Sequence, residues 1–193
     1  GLAGIQLIQR EGVRVIFPQD QSCCGQPAWN SGYRDQARSV ALTQIRSFPK
    51  DIPIVVPSAS CAGMMKNQYP ELFRDHPDSE QAERFAHRVY ELTEFLVHVL
   101  KIRLQDLGPP TTVALHASCS AQREMAVADE HASLLQQLDN VEILEQERKT
   151  ECCGVGGTFA VKHPEISAAM VEDKSRAIAK TGAVELVSGD CGC

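Results

Sequence analysis

The sequence predicts an α/β fold, two pseudo-symmetric halves made of duplicated Rossmann-like units with mostly parallel strands. Three observations predict it. Residues 13–33 (VRVIFPQDQSCCGQPAWNSGY) and 141–161 (VEILEQERKTECCGVGGTFAV) repeat one pattern: alternating apolar strand, short polar turn, Cys-Cys-Gly. The two cysteine pairs stand 129 residues apart, Cys23 to Cys152. Each pair leads into a helix pattern and then a strand pattern, the alternation of parallel sheets covered by helices.

In the first copy, residues 35–48 place Ala37, Ala41, Ile45 and Phe48 on one helical face. A buried strand, IPIVVPS at 52–58, then leads to Cys61. Residues 78–101 carry Ala82, Phe85, Ala86, Val89, Leu92, Leu96, Val99 and Leu100 at helical spacing and predict one long amphipathic helix. LGPPTT at 107–112 breaks the chain and divides it into halves 1–109 and 110–193. The strand TTVALHAS carries Cys119 at its end. Pro164 suits the first turn of a helix whose stripe is Ile166, Ala169, Met170 and Ala177. A buried strand, AVELVSG at 183–189, ends at Cys191 and Cys193. The chain opens on Gly1 within a helical pattern and stops on Cys193 after a strand, so the native protein is expected to extend further at both ends or to be disordered there.

Composition narrows the function. A formal net charge of -6 lacks the basic footprint that nucleic acid requires. The longest apolar runs are too short to span a bilayer, and no secretory leader pattern is seen. The expectation is a cytoplasmic protein, with peripheral membrane association left open. In that setting eight cysteines point to metal or redox chemistry rather than a disulfide scaffold.

The cysteines fall where strands end and helices begin. In an open parallel sheet those ends converge on one edge, so residues distant in sequence meet there. The second copy supplies Cys119, then Cys152-Cys153 after 32 residues, then Cys191 and Cys193. The first supplies Cys23-Cys24 and, after 36 residues, Cys61. Thiolates hold iron–sulfur clusters. The amides of Gly154, Gly156 and Gly157 suit donation to sulfur, because no side chain blocks the approach. A vicinal pair can bind two metals of one multinuclear cluster. His116, three residues before Cys119, reads as a cap or a hydrogen-bonding neighbour of the cluster rather than a catalytic base. His87 and His98 read as solvated, and His163 as an ordinary helix-start residue. The glycines after Cys153 lack the full dinucleotide-loop spacing.

The segments CCGQPAWNSGY, PSASCAGM, CCGVGGTFAVKHPEIS and SGDCGC resemble the cysteine-rich CCG domain found in heterodisulfide reductase and in the glycolate oxidase iron–sulfur subunit, and within it the lactate-utilisation protein A family. The resemblance spans nearly the whole chain. It implies an iron–sulfur electron-transfer subunit of a cytoplasmic L-lactate oxidation complex, partnered by other subunits, themselves iron–sulfur proteins among them. It implies a 4Fe-4S type cluster on Cys119, Cys152, Cys153 and Cys193, with Cys191 as a neighbour. The first copy matches at Cys23, Cys24 and Cys61, where zinc or a second cluster is expected. The related pattern closes each motif with Cys-x-x-Cys, and here Met64 stands at that last position.

Two other readings stay open. One is an assembly or partner-binding subunit whose cysteines hold zinc or nothing. The other is a thiol–disulfide protein that uses the vicinal cysteines directly. Taken alone, Cys61 reads equally as a small buried apolar side chain.

Overall fold

The computed structural model describes residues 1–49 and 51–193. Helix α1 (Leu2–Arg10) precedes the first Cys-Cys-Gly corner, which opens α2 (Gln26–Asn30) and α3 (Arg34–Ser47). Strand β1 (Ile54–Val56) runs into α4 (Ala59–Gly63), a π-helical turn at Met64–Gln68, and α5 (Tyr69–Leu72). Then come α6 (Ser79–Ala86), β2 (Val89–Glu91), α7 (Leu92–Glu94) and a second π-helical turn, Phe95–Leu100. The second half holds β3 (Thr111–His116), a third π-helical turn at Ser120–Glu124, α8 (Ala128–Leu135), β4 (Val141–Leu144), α9 (Phe159–Lys162), α10 (Pro164–Ala179) and β5 (Glu185–Ser188).

The strand pairings are parallel, as an α/β fold requires. β1 pairs with β2, Ile54 opposite Val89. β3 lies between β4 and β5, with Val113 opposite Ile143 on one side and Glu185 on the other. Placing the first strand of this unit at the centre makes two helical crossovers leave in opposite directions. The C-terminal ends of β3 and β5 therefore form a switch point, the usual location of a site in such sheets.

The first half owns the larger core. Tyr69, Phe73, Phe85, Met64 and Val89 are fully buried beside Ala37, Ala41 and Ile45 of α3. Phe85 stacks on Tyr69 at 5.7 Å and meets Phe48 edge-on at 5.8 Å. A second cluster crosses the halves: Ile8 of α1, Phe95, Leu96 and Ile102 pack with Leu134 of α8.

Four expectations need correction. Residues 78–101 do not form one helix. α6 ends at Ala86, and Val89 is drawn into a strand whose neighbour Arg88 accepts a hydrogen bond at its carbonyl from Ile54 N, 2.8 Å. Glu91 then starts α7 with a capping box, its carboxylate accepting from the amides of Thr93 and Glu94 while Glu94 accepts from Glu91 N. Residues 13–17 are not a strand: Val13 and Val15 pack on the second cluster without a ladder, and Ile16 and Phe17 are exposed. β5 is an edge strand and is not buried, Val184 and Leu186 being exposed. On α10 Ile166 and Ala169 face solvent, Met170 is half-buried, and of the predicted stripe only Ala177 is buried. The inward face of that helix is polar. Ser167 Oγ donates to the Gly154 carbonyl at 2.9 Å, and Lys174 Nζ donates to the Arg148 and Lys149 carbonyls at 3.1 Å. α10 is thus tied to the cysteine loop by hydrogen bonds instead of apolar burial.

Phe85→Ala is expected to destabilise the fold by about 3–5 kcal/mol, through lost burial and a cavity. Ile166→Ala should stay within about 0.5 kcal/mol, because that side chain faces water. Urea denaturation midpoints of the two variants against the parent protein check both values.

Candidate metal centre

The two Cys-Cys-Gly corners have the same local geometry. Gly25 and Gly154 both take left-handed φ, 87° and 80°. That conformation, costly for any residue with a Cβ, turns each glycine amide back onto the first cysteine of its pair. Gly25 N donates to Cys23 Sγ and Gly154 N to Cys152 Sγ, each at 3.4 Å. At Gly154 a side chain would also collide with Met170, its Cβ lying 2.8 Å from that of the methionine. The second cysteine of each pair turns inward, so Cys24 and Cys153 are both buried.

Neighbouring elements anchor both corners. In the first, Tyr69 Oη donates to the Cys24 carbonyl at 2.9 Å, and buried Gln44 accepts from Ser22 N at 2.8 Å. In the second, Ser167 and Lys174 do this from α10.

Each inward cysteine meets a cysteine delivered by a strand end. Cys24 faces Cys61 of α4. Cys153 Sγ lies 3.0 Å from Cys193 Sγ, and Cys152 Sγ lies 4.0 Å from Cys119 Sγ. The sulfur–sulfur hydrogen bonds divide the protons unequally. Donation from Cys193 lowers the Cys153 pKa from 9.0 to about 4, and the same contact pushes Cys193 up. The buried His116 imidazole, close to the Cys153 sulfur, adds to the lowering. In the first copy the direction is reversed. Cys24 is the donor and is pushed up, while Cys61 falls to about 7, helped by Ser58 and Ser60 against the cost of burial. Burial, then the neighbouring Cys152, raises Cys119.

A cavity of about 540 Å³ opens between the halves. Cys119, Cys152, Cys153 and Cys193 line it with Gly154, Gly156, Gly157 and Asp190. The first half contributes Gln26 and Asn30 of α2 and Ser60 of α4. Ser31 and Thr158 close the rim with a 2.9 Å hydroxyl contact across 127 residues of sequence. The structure thus brings four of the expected second-site cysteines and all three glycines to one space. Cys191 is exposed and does not line the cavity; Cys24 and Cys61 pack together in the first core, outside the cavity, and Cys23 next to them in the chain is exposed. His87 and His98 are exposed, His98 Nε2 lying 2.8 Å from Glu130.

The donor set suits soft, thiophilic metal. The Cys193 thiol and a buried imidazole favour negative charge on Cys153, and the Gly154 amide is aimed at Cys152 Sγ. Among the described residues no group of three or more Cys, His, Asp or Glu side chains is gathered closely enough to hold a metal ion. The sulfurs stand as two pairs around one cavity.

Several residues of the site carry no motif that singles them out. Gln26, Asn30, Ser60, Ser118 and Asp190 line the cavity as polar neighbours of cysteine. One signal is present: Ala-Ser-Cys occurs at both 59–61 and 117–119, at the ends of strands β1 and β3.

The cysteine-rich domain family, CCG, matches residues 2–66 and 113–193. Lactate utilization protein A of Oceanobacillus iheyensis is 43% identical over 192 residues, covering 98% of this chain and 78% of the relative. The chain belongs to the lactate utilization protein A family. The proteins of that name from Bacillus licheniformis and Bacillus subtilis are 43% and 41% identical over 196 residues, covering all of this chain and 81% of each relative. Both cysteine corners of this family member lie within the matched regions, and the unmatched stretch, 67–112, holds α5, α6, β2, α7 and the second π-helical turn.

In the reduced, metal-free protein, two of the steps in which ultraviolet thiolate absorbance falls as pH drops should belong to Cys61 and Cys153. One lies near the value of about 7 for Cys61 and one near about 4 for Cys153, both below the ordinary 9.0. Cys193→Ala should move the lower step upward and leave the upper one in place. Cys24→Ala should do the converse.

Proposed function

We propose that this chain is an iron–sulfur electron-transfer subunit of a cytoplasmic complex that oxidises L-lactate or a related 2-hydroxy acid. The cavity between the halves carries the reading, because four cysteine sulfurs line it. Cys119, Cys152, Cys153 and Cys193 would hold a 4Fe-4S type cluster, and a bound cluster supplies one-electron transfer. Gly154, Gly156 and Gly157 line that space, the Gly154 amide donating to Cys152 Sγ, and their amides would offset the charge of the thiolates. Cys191 stands beside the ligands. The first corner, with Cys23, Cys24 and Cys61, holds zinc or a second cluster. Met64, fully buried in the first core, offers only a thioether where the related pattern has a thiolate. In this reading residues 1–109 and 110–193 are the two functional halves.

The lactate assignment rests on the name of the relatives. The chain acts as one subunit of an oxidoreductase, partnered by other iron–sulfur proteins, with substrate chemistry shared with them. Among the described residues no helix is long and apolar enough to cross a membrane, so any membrane association would be peripheral or through a partner.

A thiol–disulfide reading has one observation in its favour, the 3.0 Å approach of Cys193 to Cys153, whose pKa that contact lowers. Anaerobic purification with iron, sulfide and zinc quantified separates the readings. The expected result is about four iron and four sulfide per chain, with an EPR signal changed by dithionite and lost in Cys152→Ser. Metal-free protein that still turns over, and loses turnover in Cys153→Ser, would instead support thiol–disulfide chemistry. Zinc alone after anaerobic reconstitution would leave an assembly subunit.

A further inference from the structure

Asp190 is a buried carboxylate, 4% exposed, on the cavity wall. Its Oδ1 accepts from Ser60 Oγ at 3.1 Å, from Ser60 N at 3.3 Å, and from Ser58 Oγ. Its Oδ2 accepts from Ser118 Oγ. Ser60 immediately precedes Cys61, Ser118 precedes Cys119, and Asp190 precedes Cys191. One carboxylate therefore joins the ends of β1, β3 and β5 at the residue before a cysteine in each. Two of those strands belong to the second half and one to the first.

The backbone around it is fixed as well. The Asp190 carbonyl accepts from Cys193 N at 3.3 Å and from Ser188 Oγ at 3.2 Å. Gly189 is pressed against the buried imidazole of His131, whose Cε1 would lie 2.5 Å from any Cβ there. His131 in turn sits 3.8 Å from Glu91 of the first half, itself fully buried. Ser118 also accepts from Ala121 N at 3.1 Å, which holds the turn that carries Cys119.

We infer that Asp190 is a positioning residue, a clamp that fixes the separation of the cysteine-bearing strand ends and makes the second-half site depend on Ser58 and Ser60 of the first half. Hydrogen bonds to an ionised group are the stronger kind, and partners one step behind metal ligands set ligand orientation. The clamp joins the Cys61 and Cys119 loops through a single side chain, although Ser58 and Ser60 are 132 and 130 residues from Asp190.

The metal readout of this inference rests on the reading of the site as a thiolate metal centre, so the experiment has a second readout that needs no metal. The full chain, reduced and anaerobic, is compared with Ser58→Ala/Ser60→Ala, Asp190→Asn and Asp190→Ala. Amide hydrogen exchange of the metal-free proteins is followed, then cobalt(II) is titrated and its thiolate charge-transfer band recorded. The serine pair, although in the first half, should speed exchange at residues 117–120 and 189–193. It should weaken cobalt binding about ten- to a hundredfold and shift the band, the effect usual for a lost partner behind a ligand. Asp190→Asn, which keeps an accepting oxygen, should fall between the parent and Asp190→Ala. Faster exchange confined to residues 58–63, with cobalt binding unchanged, would overturn the inference. If the parent protein takes up neither cobalt nor iron, the metal reading falls and the clamp is judged on exchange alone. Should Asp190→Ala fail to fold, the serine pair and Ser118→Ala decide the matter.

Discussion

Gly25 and Gly154 adopt a backbone conformation that side chains resist, and the geometry of both cysteine corners depends on it. The left-handed φ lets one amide reach the first sulfur while the second cysteine points inward. With an ordinary residue there, the amide would turn away and the first sulfur would lose its nearest donor. The same turn starts α2 in the first copy and leads toward α9 and α10 in the second. Sulfur chemistry and chain direction are thus set by one dihedral angle, used twice.

The halves divide the labour unequally. The first holds the aromatic core of Tyr69, Phe73 and Phe85, while the second holds the cavity with four cysteines. In the second half the helix behind the corner is anchored through Ser167 and Lys174, and apolar burial is slight. Polar anchoring gives a defined position at modest stability, since a hydrogen bond contributes only about 1 kcal/mol net. The second half therefore leans on the first, through α2 at the cavity wall, the serines of the β1 end and the apolar cluster of Ile8, Phe95 and Leu134.

Much of this was legible in the sequence. The duplicated Cys-Cys-Gly corners, the α/β alternation, Pro164 opening a helix and the face of α3 follow from local pattern. Residues 78–101 misled because Val89 fits a helical stripe and a strand equally well. The Glu91–Glu94 capping box decides the matter, and it lacks the usual Ser or Thr at its start. Residues 13–17 and 183–189 alternate as strands do, yet alternation cannot tell whether a ladder partner or a covering helix is present. Asp190 was hidden for another reason. A lone aspartate before a cysteine has no signature, and its three serine partners follow the ends of two strands that only the fold brings together. The Ala-Ser-Cys repeat was the one trace of it in the chain.

The clasp between Ser58 and Asp190 spans 132 residues, and the rim contact between Ser31 and Thr158 spans 127. Contacts of such separation close late in folding, because the chain entropy of the intervening loop must be lost first. Each corner can form early from its own neighbours, since the Gly154 amide and Cys152 lie two residues apart. The shared cavity cannot. An incompletely folded chain would offer paired thiols without the enclosure around them, and the enclosure would arrive only when the two halves dock. On the proposed reading, metal loading would then report completion of the fold, with the order of assembly written into contact length alone.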